Sequence, residues 1–263
     1  MKVTKKDTNI AFNISGSYSE KWFSNDKINV WEQETFKIIE KYSNKDNGVY
    51  VDIGAWIGPT SIYSSFFYNK VISIEPDPIA YSGLIENLSV NNITNITTIN
   101  KALSDSDGFV SIGTNGHFGD SETSMLVSDE KFVNEQWGNR EWSNKDENIT
   151  VETLTLESIL KNHNIDAENI SLMKMDVEGG ELVLVPYLKK FLEEYKPNFH
   201  ISVHHSWLSV EQIKDILDIL LSIYGDTGYL YQKDGSIKKI NKDYVTDERI
   251  KNKEIESVVF SII

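Results

Sequence analysis

The run Val49-Tyr50-Val51-Asp52-Ile53-Gly54-Ala55-Trp56-Ile57-Gly58 constrains the fold more than any other part of the chain. β-branched and aromatic residues up to Ile53 predict a strand. Gly54 and Gly58 then flank three small or apolar positions, and Pro59 follows, which predicts a tight turn and a helix N-terminus. A strand, a turn and a helix in that order bring a nucleotide-like ligand against bare backbone. The spacing is Gly-x-x-x-Gly with Asp52 two residues ahead of it. It is not the Gly-x-Gly-x-x-Gly that crowds amides around a pyrophosphate.

A second strand, Val71 to Ile74, ends in Glu75, 21 residues beyond Gly54. An acid at that distance can take both ribose hydroxyls of an adenosine. With an extra acid, Asp52, where a phosphate would otherwise sit, the pattern suits a cationic adenosine cofactor, and S-adenosylmethionine fits that description.

Further along, strands and helices alternate as in a mostly parallel sheet with helical crossovers. Trp31 to Tyr42 reads as a helix before the first strand. Asp77 reads as an N-cap with Pro78 at the first helical position. Ile96 to Ile99 is the third strand, followed by a hairpin around Asp107-Gly108. Leu156 to Leu160 is a short helix, and Ile170 to Met175 a buried fourth strand. Phe199 to Val203 is the fifth, and Ser209 with Gln212 forms a capping box before the next helix. Tyr229–Gln232 and Val258–Ile263 close the sheet as a terminal pair. Residues 1–30 read as polar and irregular. Residues 113–148 are polar and Gly- and Asn-rich, with Trp137 and Trp142 embedded, and read as a loop or lid beside the acceptor site. No repeat or linker interrupts residues 1–263, so one α/β domain is expected.

The formal net charge of −14 argues against nucleic acid as a partner, because phosphate binding needs a basic footprint. The chain has no cysteine, which removes disulfides, thiolate catalysis and Cys-ligated zinc. No apolar run approaches the roughly 18 residues of a membrane span, and the N-terminus lacks the apolar core of a signal peptide. A cytoplasmic enzyme is the expectation, with its oligomeric state unspecified.

Four segments in order carry a resemblance: Val51-Asp52-Ile53-Gly54-Ala55-x-Ile57-Gly58, Ile74-Glu75-Pro76-Asp77-Pro78, Ala102-Leu103-Ser104-Asp105 and Lys174-Met175-Asp176-Val177-Glu178-Gly179-x-Glu181. Together with Trp31-Glu32-x-Glu34-Thr35 upstream, they resemble the FkbM-type S-adenosylmethionine-dependent methyltransferases over residues 31 to 205. The resemblance implies a Rossmann-like seven-stranded methyltransferase fold and transfer to a hydroxyl, often on a sugar or polyketide. The chain departs from the family where Trp56 replaces the usual Asn, and where Ser202-Val203-His204 stands in place of Glu-x-His.

Cofactor binding is accordingly expected from Asp52, Gly54, Ala55, Gly58, Glu75, Pro76, Asp77, Ala102, Leu103 and Asp176. Asp176 and Glu178 follow a buried strand at the edge where ligands sit, although either can simply hold the next helix N-terminus. Glu181 reads as helix-start electrostatics. His204 and His205 end the neighbouring strand, and alternation turns one of them into the crevice. Methyl transfer needs alignment and, at a sugar hydroxyl, a base; His204 or His205 is the candidate, with Asp176 or Glu178 orienting it. No metal is required by this scheme. In a variant, Asp176, Glu178 and His204 bind Mg²⁺ or Mn²⁺. Trp137, Trp142 and Trp207 are either packing aromatics or platforms for a sugar face. The expected partner is a small-molecule or glycan acceptor. Two other readings stay open: an NAD-dependent oxidoreductase, since Glu75 suits an NAD ribose, and a non-catalytic methyltransferase-like binding subunit.

Overall fold

The computed structural model describes residues 1–16, 20, 25–114, 117–125, 148–225 and 227–262. Strands β1 (Lys2–Lys5) and β2 (Ile10–Asn13) form an antiparallel hairpin, so the first residues are not irregular as their polarity suggested. Val3 and Phe12 anchor it to the core, which a polar average conceals.

The central strand, β3 (Asn44–Ile53), is exposed at its start and fully buried from Gly48 onward. Alternation divides its side chains between two cores. Val49, Val51 and Ile53 face one, and Tyr50 faces the other. A strand covered on both faces is what a parallel sheet requires of its centre. Beside it lie β4 (Tyr68–Ile74) and β5 (Ile96–Ile99) on one flank, and β10 (Ile170–Met175) and β11 (Asn198–Ser202) on the other, all parallel. Then come β14 (Ser257–Phe260), β12 (Gly228–Tyr231) and β13 (Ile237–Ile240), each antiparallel to its neighbour. The order is β13-β12-β14-β11-β10-β3-β4-β5. The expected terminal pair is present as β14 and β12. The sheet has eight strands and not seven, because the Lys-rich β13 adds an outer edge.

The remaining strands are β6 (Ala102–Leu103), β7 (Gly108–Thr114), β8 (Thr123–Ser124) and β9 (Ile149–Leu154), which make a second sheet in the order β6-β9-β7-β8. The hairpin expected at Asp107-Gly108 is therefore absent: β9 lies between β6 and β7, and Asp107 instead accepts from Thr155 N and Ser158 Oγ. The helices Leu156–Asn162, Glu181–Tyr195 and Val210–Tyr224 contribute side chains to one core, and Gln33–Lys41, Pro59–Ser64 and Pro78–Ser89 to the other. Asp77 caps Pro78–Ser89, and Ser209 with Gln212 forms the capping box of Val210–Tyr224, as their spacing predicted. Among the described residues no helix is long and apolar enough to cross a membrane.

From β3 the chain steps outward to β4 and β5, then returns to β10 on the other side of β3. That reversal opens a crevice at the C-terminal ends of β3 and β10, the usual ligand position in such sheets.

Candidate active site

Gly54 stands at this crevice. Its φ is +81°, and a Cβ there would meet the carbonyl oxygen of Asp176 at 1.8 Å, so only glycine lets the two strand ends come together. Its amide and that of Ala55 donate to Ile74 O. Trp56 follows in the left-handed region with φ +49°. The turn aims the Trp56 amide at Glu75 Oε2, 2.8 Å away, and the Asp77 amide donates to Glu75 Oε1 at 2.8 Å. Burial pushes the Glu75 carboxyl up to about 8 against the lowering effect of those two amides.

A cavity of about 490 Å³ runs from Glu75 past the glycine turn to the end of β11. Gly54, Ala55, Pro76, Ala102 and Leu103 line it beside Glu75; Asp176, Glu178 and His204 line its other side. Asp52, Gly58 and Asp77 are not on its wall. Asp52 is fully buried beneath the turn, where its Oδ2 accepts from Thr60 Oγ1 (2.7 Å) and Ser61 Oγ (2.6 Å) at the start of the next helix. Gly58 makes the left-handed N-cap of that helix. Asp77 caps its own helix and, through Oδ2, accepts from Gly119 N (2.6 Å) and Thr123 Oγ1 (3.1 Å). These three residues shape the loop from behind it.

At the β10 end, three side chains converge. His204 Nε2 lies 3.1 Å from Asp176 Oδ1 and 3.4 Å from Glu178 Oε1. Its Nδ1 donates to Glu181 Oε1 at 2.6 Å. Burial alone would lower the imidazole pKa, but Glu181 and Glu178, with the hydrogen bonds to Asp176 and Glu178, carry it well above its ordinary value. Burial pushes the Glu178 carboxyl up. For Asp176, the lowering by Lys174 and His204 outweighs burial. His205 faces away: it is not on the cavity wall, and its Nε2 donates to Ile255 O at 2.8 Å. Of the histidine pair, only His204 points into the crevice.

Carboxylates engage both ring nitrogens of His204, Glu181 at Nδ1 and Asp176 with Glu178 at Nε2. Glu181 is also more than helix-start electrostatics. It is 1% exposed and holds the imidazole from behind. Trp207 is buried and donates Nε1–H to Glu178 Oε2 at 2.5 Å, so it orients a carboxylate and is no platform for a sugar. Trp137 and Trp142 lie outside the described residues. Of the expected lid, residues 120, 121 and 123–125 line the cavity, and Ser124 Oγ donates to Glu178 O.

Two residues escaped the sequence reading. Lys174, 2% exposed, sits between Asp52 Oδ1 (3.4 Å) and Asp176 Oδ2 (3.0 Å). A lysine in a buried strand, at the head of the fourth segment of the resemblance, was its signal. Glu32 lines the cavity from the N-terminus of helix Gln33–Lys41 with φ +40°, and its Oε2 is buried without a hydrogen-bond partner. Burial and the nearby Asp176 push its carboxyl up to about 8. Trp31 and Trp56 supply the cavity's aromatic wall, their rings 6.3 Å apart. Glu32, Trp56 and Glu178 are all non-glycine residues in the left-handed region, and all border this one cavity. Strain of that kind gathers where a site over-determines its geometry.

No curated protein matches the chain. Among solved structures, it is similar to the methyltransferase FkbM of Methylobacillus flagellatus KT, at 18% identity and a TM-score of 0.47, over 82% of this chain and 44% of that one. It is also similar to precorrin-6y C5,15-methyltransferase of Geobacter metallireducens GS-15, at 11% identity and a TM-score of 0.44, over 82% and 83%. The chain thus spans less than half of the first of these proteins. Residues 52–231, which run from the buried acid of β3 to β12 and include the glycine turn, Glu75, Asp176, Glu178 and His204, match the methyltransferase FkbM domain, and the chain belongs to that family.

Proposed function

We propose that the protein transfers the methyl group of S-adenosylmethionine to a hydroxyl oxygen of a sugar or other polyhydroxylated acceptor. One observation carries the reading: a single cavity joins a ribose-type acid to a convergent cluster of carboxylates and imidazole across a glycine turn. Each oxygen of Glu75 accepts one amide and keeps a lone pair for a ribose hydroxyl. Ala102 and Leu103 give the adenine an apolar slot. The surplus of buried carboxylate at the β10 end suits a sulfonium, and Gly54 leaves room for it. When bound, S-adenosylmethionine supplies an electrophilic methyl carbon.

The chain's own part is to bring an acceptor oxygen into line with that carbon and to exclude water. Glu32, Glu34, Asp176 and Glu178 offer acceptors for several hydroxyls, while Trp31 and Trp56 offer flat apolar faces, a combination that suits a sugar. As the new C–O bond forms and the C–S bond breaks, the hydroxyl proton leaves to a carboxylate of the Asp176–Glu178 pair. His204, its ring fixed by Glu181, holds both carboxylates in place.

The test is mass spectrometry of hydroxylated acceptors, simple sugars and glycans among them, incubated with the protein and methyl-labelled S-adenosylmethionine. The expected product carries the label as an alkali-stable ether. Label found only on nitrogen or carbon, or a protein that ignores S-adenosylhomocysteine in calorimetry, overturns the proposal.

A further inference from the structure

We propose that Asp176 Oδ1, Glu178 Oε1 and His204 Nε2 form one face of a binding site for a hard divalent cation of the Mg²⁺ or Mn²⁺ type. The sequence permits such a site without requiring it; the geometry points to it. The three atoms lie within 4.8 Å of one another. His204 Nε2 is 3.1 Å and 3.4 Å from the two oxygens. Neighbouring ligands of an octahedral ion with bonds of about 2.1 Å stand about 3.0 Å apart, so the two edges that meet at His204 Nε2 are already near that spacing.

The independent observation is what holds the opposite atom of each ligand. Lys174 takes Asp176 Oδ2 at 3.0 Å, Trp207 takes Glu178 Oε2 at 2.5 Å, and Glu181 takes His204 Nδ1 at 2.6 Å. Each ligand therefore has one atom pinned and the other turned to a common point. Partners of this kind fix ligand orientation and imidazole tautomer around metals. Glu181 adds a second sign: it is 1% exposed, and its Oε2 is buried with no hydrogen-bond partner. A carboxylate so placed is balanced when the imidazole it holds is bound to a cation. Two carboxylates and one imidazole suit a hard ion, and the remaining coordination positions open into the cavity.

The assigned role rests on the O-methyl reading: a bound ion would take the acceptor's hydroxyl oxygen into its open positions and make that hydroxyl more acidic. With Asp176 and Glu178 then serving as ligands, the proton would leave to another carboxylate of the wall, Glu32 or Glu34. The binding site itself does not depend on that reading.

The test is titration of Mn²⁺ into the full chain, followed by electron paramagnetic resonance. The free-ion signal should fall with one Mn²⁺ bound per chain, and spin-echo modulation should show coupling to one imidazole nitrogen. Asp176→Asn and Glu178→Gln should weaken binding at least tenfold, and Glu181→Gln should weaken it about 10- to 100-fold, as partners behind metal ligands do. His204→Ala should remove the nitrogen coupling. Thermal melts of each variant separate loss of the site from loss of the fold. Mn²⁺ that stays free at millimolar protein, or binds without nitrogen coupling, overturns the proposal. S-adenosylhomocysteine binding in the same samples keeps the two readings apart. Intact nucleoside binding without Mn²⁺ binding refutes only the metal site, and Mn²⁺ binding without label transfer to hydroxyls refutes only the acceptor.

Discussion

Lys174 is the register partner of Asp52 across β10 and β3, and its Nζ lies 3.4 Å from Asp52 Oδ1 while it also holds Asp176 at 3.0 Å. The same row continues to Ser73 on β4 and to His200 on β11. A polar layer thus crosses the centre of an otherwise apolar sheet, directly beneath the cavity. Burial works against the Lys174 ammonium, but Asp176 and Asp52 overcome it and keep the group charged. The lysine holds together the strand ends that carry the cofactor turn and the acidic cluster.

Lys174→Met should therefore destabilise the fold by about 3–5 kcal/mol, because two buried carboxylates lose their partner. Adding Asp52→Asn should recover part of that loss, since the two sites are coupled. Urea unfolding of the single and double variants measures both. A Lys174→Met protein as stable as the parent would mean that the carboxylates find another partner.

Glu75 should govern nucleoside affinity and make it depend on pH. Glu75→Ala should weaken S-adenosylhomocysteine binding by about 1.5–3 kcal/mol, the range for hydrogen bonds to a charged group. A ribose diol donates to the carboxylate and so prefers the deprotonated form. Since burial raises this carboxyl to about 8, affinity should increase as pH rises toward 8 and level off above it. Calorimetry between pH 6 and 9 reads the slope, and Glu75→Gln should flatten it. An equal slope in the variant would assign the effect to another group.

The parts of this site that were legible in the sequence are those whose chemistry is local. The strand, glycine turn and proline around Gly54, the acid at Glu75 and the Asp77-Pro78 cap each span a few residues and have few structural alternatives. The β6–β9–β7 pairing depends on partners far along the chain, whereas the hairpins β1–β2 and β12–β13 are local but built of short strands with polar residues that carry little pattern. Glu181 and Trp207 illustrate the same limit at the site. A glutamate at a helix start and a tryptophan in a loop have ordinary roles, and only folding brings them onto His204 and Glu178. Glu32 needed something further, a left-handed backbone that no residue type announces.

His200 should limit stability in acid. It is buried with Nε2 2.9 Å from Ser257 Oγ, and burial lowers its pKa to about 3. The unfolded chain binds a proton on this ring below about pH 6.5, and the folded protein does so only near 3. Stability is therefore lost as pH falls through that window, by at most about 1.4 kcal/mol per pH unit from this group. His200→Gln, which can still hydrogen-bond Ser257, should lessen the decline in chemical unfolding between pH 6.5 and 4.5. Parallel curves for the two proteins would place the acid sensitivity elsewhere.

Asp77 joins two functions that substitution can separate. One oxygen caps helix Pro78–Ser89, and the other holds Gly119 N and Thr123 Oγ1 against the cavity. Asp77→Ala should lose the cap, worth about 0.5–2 kcal/mol, together with the tether. Asp77→Asn keeps a good cap but turns an amide donor toward the Gly119 amide, so the helix should survive while the wall segment loosens. Hydrogen exchange at Gly119 and Thr123 should accelerate in the Asn variant with little change in melting temperature. Because residues 120, 121 and 123–125 line the cavity and the tether to Asp77 Oδ2 does not involve the Glu75 carboxylate, turnover on the proposed acceptor should fall more than S-adenosylhomocysteine affinity. Unchanged exchange at Gly119 in Asp77→Asn would show that the wall is held by its other contacts, among them the bond from Trp56 Nε1 to Gly119 O.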